Sequence, residues 1–155
     1  MNKYEQLGRL IIEILEETNT KVDEVEAEGD PHPHVTELRK WEGIPEGDDK
    51  MRELLGEKYD WDVVAWCAHG LNCVLENCGI EGTGSMRARD FANWGDEGDG
   101  SYGDIAVFDK HVTVVVENGK ALGCNQGDTV KESNLKWYHD NQKSLGYRRI
   151  PDQTA

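Results

Sequence analysis

Two side chains in this 155-residue chain have the types that nucleophilic catalysis needs, Cys67 and His111. A cysteine attacks a carbonyl as its thiolate, so it needs a base to take the proton and a local positive field. Cys67 falls in the first turns of a predicted helix, where free N–H groups and the macrodipole favour a thiolate. His111 opens a predicted strand and is the candidate base, and a base of this kind needs a third polar group to fix its ring. Spacing alone favours a packing role for Cys67, the role also read for Cys73, Cys78 and Cys124. No C-x-x-C pair is present, so a structural zinc site is not expected. His32 and His34 flank Pro33 near Asp30 but have no further ligands in sequence. Neither a metal nor a cofactor is expected.

The third group follows from a hairpin. Asn118-Gly119 between β-branched runs predicts a tight turn. A two-residue loop sets Gln126 opposite His111. A three-residue loop with Gly119 in a bulge sets Asn125 there instead. The second register gathers His111, Thr113 and Val115 with Ala121, Gly123 and Asn125 on one small, partly polar face. It leaves Val112, Val114, Val116, Leu122 and Cys124 on an apolar face, and is preferred for that reason.

These residues must be held by elements that the pattern marks out. Residues 2–17 read as an amphipathic helix and 18–33 as polar loop. A short helix holds Val35, Leu38 and Trp41. Another holds Met51, Leu54 and Leu55, with Asp48 or Asp49 as its cap. Residues 62–77 form a helix capped by Asp60 or Asp62 and ended at Cys78-Gly79. Ser85 caps a short helix to Trp94, and 95–103 is a loop. Strands follow over 104–108, 111–117, 120–126, 129–132 and 145–150. Helices first and then an antiparallel sheet is an α+β arrangement.

Composition narrows the function. Seventeen basic against 31 acidic residues give a net charge of −14, which argues against nucleic acid and against anionic membrane surfaces. No apolar run reaches the ~18 residues of a membrane span, and no signal peptide is read, so the thiols are expected to be reduced. The length suits a single domain, 1–155, expected to be monomeric.

Several short stretches also occur in a telling order. They are Trp66-Cys67-Ala68, Gly82-Thr83-Gly84-Ser85, Ala88-Arg89, Trp94-Gly95, Gly103 to Phe108, His111-Val112, Leu122 to Gly127, and Leu145 to Arg149. In this order they resemble the CHAP-like, papain-like cysteine peptidoglycan hydrolases, most of all the small phage-type lysins. The resemblance covers about 59–151, with 1–58 as a helical lead-in. It implies a papain-like core with the nucleophile at a helix N-terminus. It also implies Cys67 as nucleophile, His111 as base and Asn125 as the residue orienting it. Trp61, Trp66 and Gln126 are expected to bind substrate, and Tyr59 or Trp61 to line the oxyanion side.

The implied reaction is hydrolysis of an amide in the wall peptide, by an amidase or endopeptidase held in the cytoplasm until release. The chain departs from the pattern at Lys110, Thr113 and Cys124, and Thr113 is expected to narrow the cleft beside His111. The alternatives are a non-enzymatic phage structural or wall-binding module that kept the fold, an antibacterial amidase effector, and a papain-like enzyme acting on another amide.

Overall fold

A computed structural model of the chain describes residues 30–56 and 66–151. The expected helix over 2–17, Tyr59, Trp61 and the expected caps Asp60 and Asp62 lie outside the described residues. The chain forms two compact units, Met1–Pro33 and His34–Ala155. In the first, the Asp30 carboxylate accepts from the His32 N–H at 2.8 Å. The site residues belong to the second.

Four α-helices are described: α1 (Pro33–Trp41), α2 (Asp49–Leu55), α3 (Cys67–Asn77) and α4 (Leu135–Asn141). Six strands form one sheet: β1 (Asp96–Gly98), β2 (Ile105–Phe108), β3 (Val112–Val115), β4 (Lys120–Gly123), β5 (Lys131–Asn134) and β6 (Ser144–Arg149). Their order is β1-β6-β2-β3-β4-β5, and each neighbouring pair is antiparallel. This is the expected α+β class. Among the described residues no helix is long and apolar enough to cross a membrane.

The central strands are buried on both faces, which explains their near-continuous valine run. Ile105, Val107, Val112, Val114 and Leu122 join one core with α1, α2 and α3. Ala106, Phe108 and Val115 form a second cluster with Tyr138 of α4. Full burial of each such aliphatic side chain stabilises by roughly 1.5–3 kcal/mol.

Helix α3 turns Ala68, Leu71, Val74 and Leu75 into the core, a spacing of three and four residues. Its C-terminus closes as a Schellman motif. Gly79 takes φ 74°, its N–H donates to Glu76, and the Ile80 N–H donates to Leu75. The N-terminus differs from expectation: the helix begins at Cys67 itself, and the flanking residue Trp66 offers no side-chain cap. Asp48 caps α2 as expected, accepting from the Lys50 N–H at 2.9 Å.

Val114 pairs with Leu122 and Val115 with Ala121, so the β3–β4 hairpin takes the three-residue loop. Asn118 and Gly119 both adopt positive φ in that loop. Two other readings are corrected, and one helix was missed. A short helix to Trp94 is present, the 3-10 helix Ala88–Asn93, but its cap position is Arg87, and Ser85 accepts from the Arg87 N–H one turn earlier instead of capping it. The expected loop 95–103 contains β1, a mostly exposed edge strand with no apolar pattern, which β6 pairs through its backbone. Helix α4 went unread because Tyr138 is its one buried residue, which is too little for a period.

Candidate active site

Cys67 is the first residue of α3, and its sulfur faces three backbone N–H groups, those of Val112, Ala68 and Cys67 itself. The two from α3 are donors that a helix N-terminus leaves free. The third places the thiol at the start of β3, beside His111. Burial pushes the Cys67 thiol pKa up, and this outweighs the downward pull of the three donors. The helix-start donors do favour a thiolate, as expected, and the burial of a thiol with 4% of its surface exposed works against them.

His111 is fixed from three sides. Its carbonyl accepts from the Phe108 N–H at 2.8 Å, closing the turn from β2 into β3. Its ring stacks on Tyr138, with centroids 4.6 Å apart and planes 8° from parallel. Its Nε2 lies 2.9 Å from Oε1 of Gln126. The Gln126 amide can be oriented without ambiguity, because its Nε2 donates to the carbonyls of Ala121 (3.1 Å) and Lys131 (2.7 Å). Oε1 is therefore the acceptor, and it also receives the Thr113 hydroxyl at 2.7 Å. The His111 hydrogen must then sit on Nε2, which leaves Nδ1 as the basic nitrogen. Burial lowers the His111 pKa, and the bond to Gln126 offsets part of that.

The structure pairs His111 with Gln126 rather than Asn125, and sets the Cys67 sulfur against the N–H of Val112, the residue after His111. Strand β4 ends at Gly123, so the register that sets Asn125 opposite His111 is lost before it reaches that position. Asn125 adopts φ 56°, a left-handed conformation that asparagine tolerates. The chain turns there, the Gln126 N–H donates to Thr129 at 3.0 Å, and the Gln126 side chain enters beneath β3. Gly123 leaves the room: a Cβ there would sit 2.5 Å from the Thr113 hydroxyl and 2.6 Å from Gln126 Oε1.

The remaining expected residues fall out as follows. Gln126 is 2% exposed and Trp66 is 0% exposed, so neither presents a surface to substrate. Trp66 is core, and Gln126 serves His111. Thr113 is buried and bonded to Gln126, so it does not narrow a cleft. Cys124 is buried against Gly70, where a Cβ would meet its sulfur at 2.5 Å. His34 is also buried, with Nε2 2.7 Å from the Gly103 carbonyl oxygen, and among the described residues no group of three metal ligands exists. Two cavities, of about 340 and 520 Å³, lie elsewhere: one between Lys120, Lys136 and Tyr147, the other between Ile80, Trp94 and Pro151.

Tyr138 was missed. Its signal lay in Asn134, whose side chain accepts from the Lys136 N–H, and in the Lys136–Asp140 pair one turn apart.

Asp104 is a supporting residue. It is buried and accepts from the N–H groups of Asp99, Gly100 and Ser101 and from the Arg149 guanidinium. It thereby ties the β1–β2 loop to β6. Those hydrogen bonds and the Arg149 charge hold its carboxyl below the usual range against the upward pull of burial.

No family model matches the chain, and no curated protein sequence matches it. Among solved structures, a Staphylococcus aureus subsp. aureus Mu50 protein described as similar to lipoprotein, NLP/P60 family, matches with a TM-score of 0.55 and 19% identity. The match covers 79% of this chain and 41% of that protein, so the chain spans less than half its length. The likeness shows a shared α+β fold of the papain-like kind. It bears on that fold and not on the CHAP group or phage lysins within it.

Proposed function

We propose that this chain is a cysteine-dependent hydrolase that cuts an amide bond in the peptide of bacterial peptidoglycan. One observation carries the reading. A histidine whose Nε2 is committed to Gln126, and whose face is held by Tyr138, opens the strand whose next N–H meets the Cys67 sulfur. A buried imidazole restrained in this way beside a helix-start thiol is the arrangement that acyl transfer needs. The papain-like fold and the ordered motifs support the same reading.

In this mechanism the Cys67 proton moves to Nδ1 of His111 as the sulfur attacks the scissile carbonyl carbon. The free N–H groups at the start of α3 steady the oxyanion, and losing one such donor typically costs ~10²–10³ in rate. The C–N bond breaks as His111 Nδ1–H protonates the leaving amine, giving a thioester on Cys67. Water, deprotonated by Nδ1, then attacks the thioester. The acid leaves and the proton returns to sulfur. Gln126 keeps the ring in one tautomer and accepts from the imidazolium when it forms. Burial disfavours charge on both Cys67 and His111, which favours proton transfer in step with attack.

The narrower assignment, a phage lysin, rests on the order of the motifs. Purified peptidoglycans of several chemotypes, digested and analysed by mass spectrometry, test the hydrolase reading. New amino and carboxyl termini within the peptide support the hydrolase reading and name the bond. Release of no fragments by folded, reduced protein from any chemotype would sink it in favour of a binding module or another amide substrate.

A further inference from the structure

His111 has an aromatic face packed flat against it. Tyr138 of α4 stacks on the imidazole with centroids 4.6 Å apart and planes 8° from parallel. Both residues are buried, Tyr138 at 8% and His111 at 6% exposure. The tyrosine ring is itself boxed in. Phe108 of β2 meets it at 5.6 Å and 34°, and Trp137 meets it edge-on at 5.1 Å and 89°. Its hydroxyl is hydrogen-bonded to the Ser133 side chain of β5. Burial pushes the Tyr138 hydroxyl pKa up against the pull of that bond, so the ring is a neutral phenol. These contacts fix it with one face on His111.

The other groups around His111 do little for a positive charge. Gln126, after β4, presents a neutral amide oxygen. Thr113 of β3 donates its hydroxyl to that same oxygen. From β2 the contact is the Phe108 N–H to the His111 carbonyl. From α3 the titratable neighbour is Cys67, whose sulfur meets the N–H of Val112. His139, the other titratable group of α4 beside Tyr138, is turned to the Tyr147 hydroxyl at 2.7 Å. Burial and the Gln126 bond act on the His111 charge, and among the described residues no carboxylate does. A buried cation without a partner is costly. An aromatic face is electron-rich and attracts a cation within about 6 Å of its centroid, most strongly when both are out of water.

We propose that Tyr138 is a positioning residue whose ring face stabilises the His111 imidazolium, while Gln126 fixes the edge of the same ring. It offsets part of the cost of burial and acts through the base. The consequence for turnover rests on the hydrolase reading above; the effect of one ring on the other does not.

Fluorinated phenylalanines at position 138 test the charge effect at nearly constant shape, because fluorine draws electrons from the ring face. In the first readout the His111 ring signal is followed by NMR through an acid titration. The protein is full-length Cys67→Ala, which removes the thiol as a second titrating group, and the signal is assigned by its loss in His111→Gln. Tyr138→Phe keeps the face and is expected to titrate close to the tyrosine protein. Each added fluorine is expected to lower the His111 pKa further, by about 0.4–1.5 pH units over the series. A merely structural role leaves the series flat, because the packing is the same, and a flat series overturns the proposal. In the second readout the same substitutions are made with Cys67 present, and kcat/KM on peptidoglycan is measured against pH. The acid limb is expected to move down in step with the titrated values. A limb that stays in place as fluorines are added overturns the role in turnover. If wild-type protein releases nothing from peptidoglycan, the hydrolase reading fails, and the titration still decides the effect of Tyr138 on His111.

Discussion

Replacing Gln126 with alanine removes a side chain that meets four partners at once: the His111 ring, the Thr113 hydroxyl, and the carbonyls of Ala121 and Lys131. In the proposed mechanism His111 carries positive charge during turnover, and a hydrogen bond to a charged group is worth about 1.5–3 kcal/mol. Since each 1.36 kcal/mol is tenfold in rate, kcat/KM should fall about 10- to 150-fold. The same change leaves a buried hydroxyl and two carbonyls short of a partner, for a stability loss of about 2–4 kcal/mol. For a domain of this size that lowers Tm by roughly 5–15 °C. The control is Asn125→Gly, because glycine accepts the φ of 56° at that position and the Gln126 bonds are untouched. It should stay within about twofold of wild type. The assay is peptide release from peptidoglycan at a temperature where melting curves show all variants folded. Loss of activity in Asn125→Gly together with retained activity in Gln126→Ala would refute the assignment of Gln126 to His111.

Gly123→Ala drives a methyl into the Thr113–Gln126 contact. It should cost about 1–3 kcal/mol by calorimetry and lower kcat/KM beyond what the folded fraction explains. The pKa of His111 is depressed, chiefly by burial, below the ordinary 6.5. The unfolded chain therefore takes up that proton first. Its stability contribution is complete above the unfolded value and is lost as pH falls through the folded one. The acid limb of kcat/KM should accordingly lie below 6.5, and a limb at or above 6.5 would contradict the burial argument. Asp104→Ala removes an acceptor shared by five donor groups, of which the Ser101 N–H and Arg149 Nη2 keep Asp99 as a second acceptor. Discounted for the half-exposed Arg149, it should cost about 2–4 kcal/mol and drop Tm on the order of 10 °C.

Elements with a clear period were legible in the sequence. The apolar face of α3, the Asp48 cap, the valine strands and the register of the β3–β4 hairpin all follow from local pattern. Elements held by partners were not. β1 is Asp-Glu-Gly and exists because β6 pairs with it, while α4 has one buried side chain. The site divides in the same way. Cys67 and His111 carried chemical signals of their own. The third residue depended on where β4 leaves the ladder, and the left-handed turn at Asn125 moves that role one position on to Gln126. Tyr138 needed the fold, because stacking on His111 depends on a helix that begins 24 residues later in the chain.

The central claim is that Cys67 performs the chemistry. Peptide release from purified peptidoglycan should be compared for wild type and for Cys67→Ala, Cys73→Ala, Cys78→Ala and Cys124→Ala, all folded and reduced. The account predicts background release from Cys67→Ala alone, with the other three retaining activity in proportion to their folded fraction. Full release by Cys67→Ala, or loss that tracks one of the other cysteines, would contradict it.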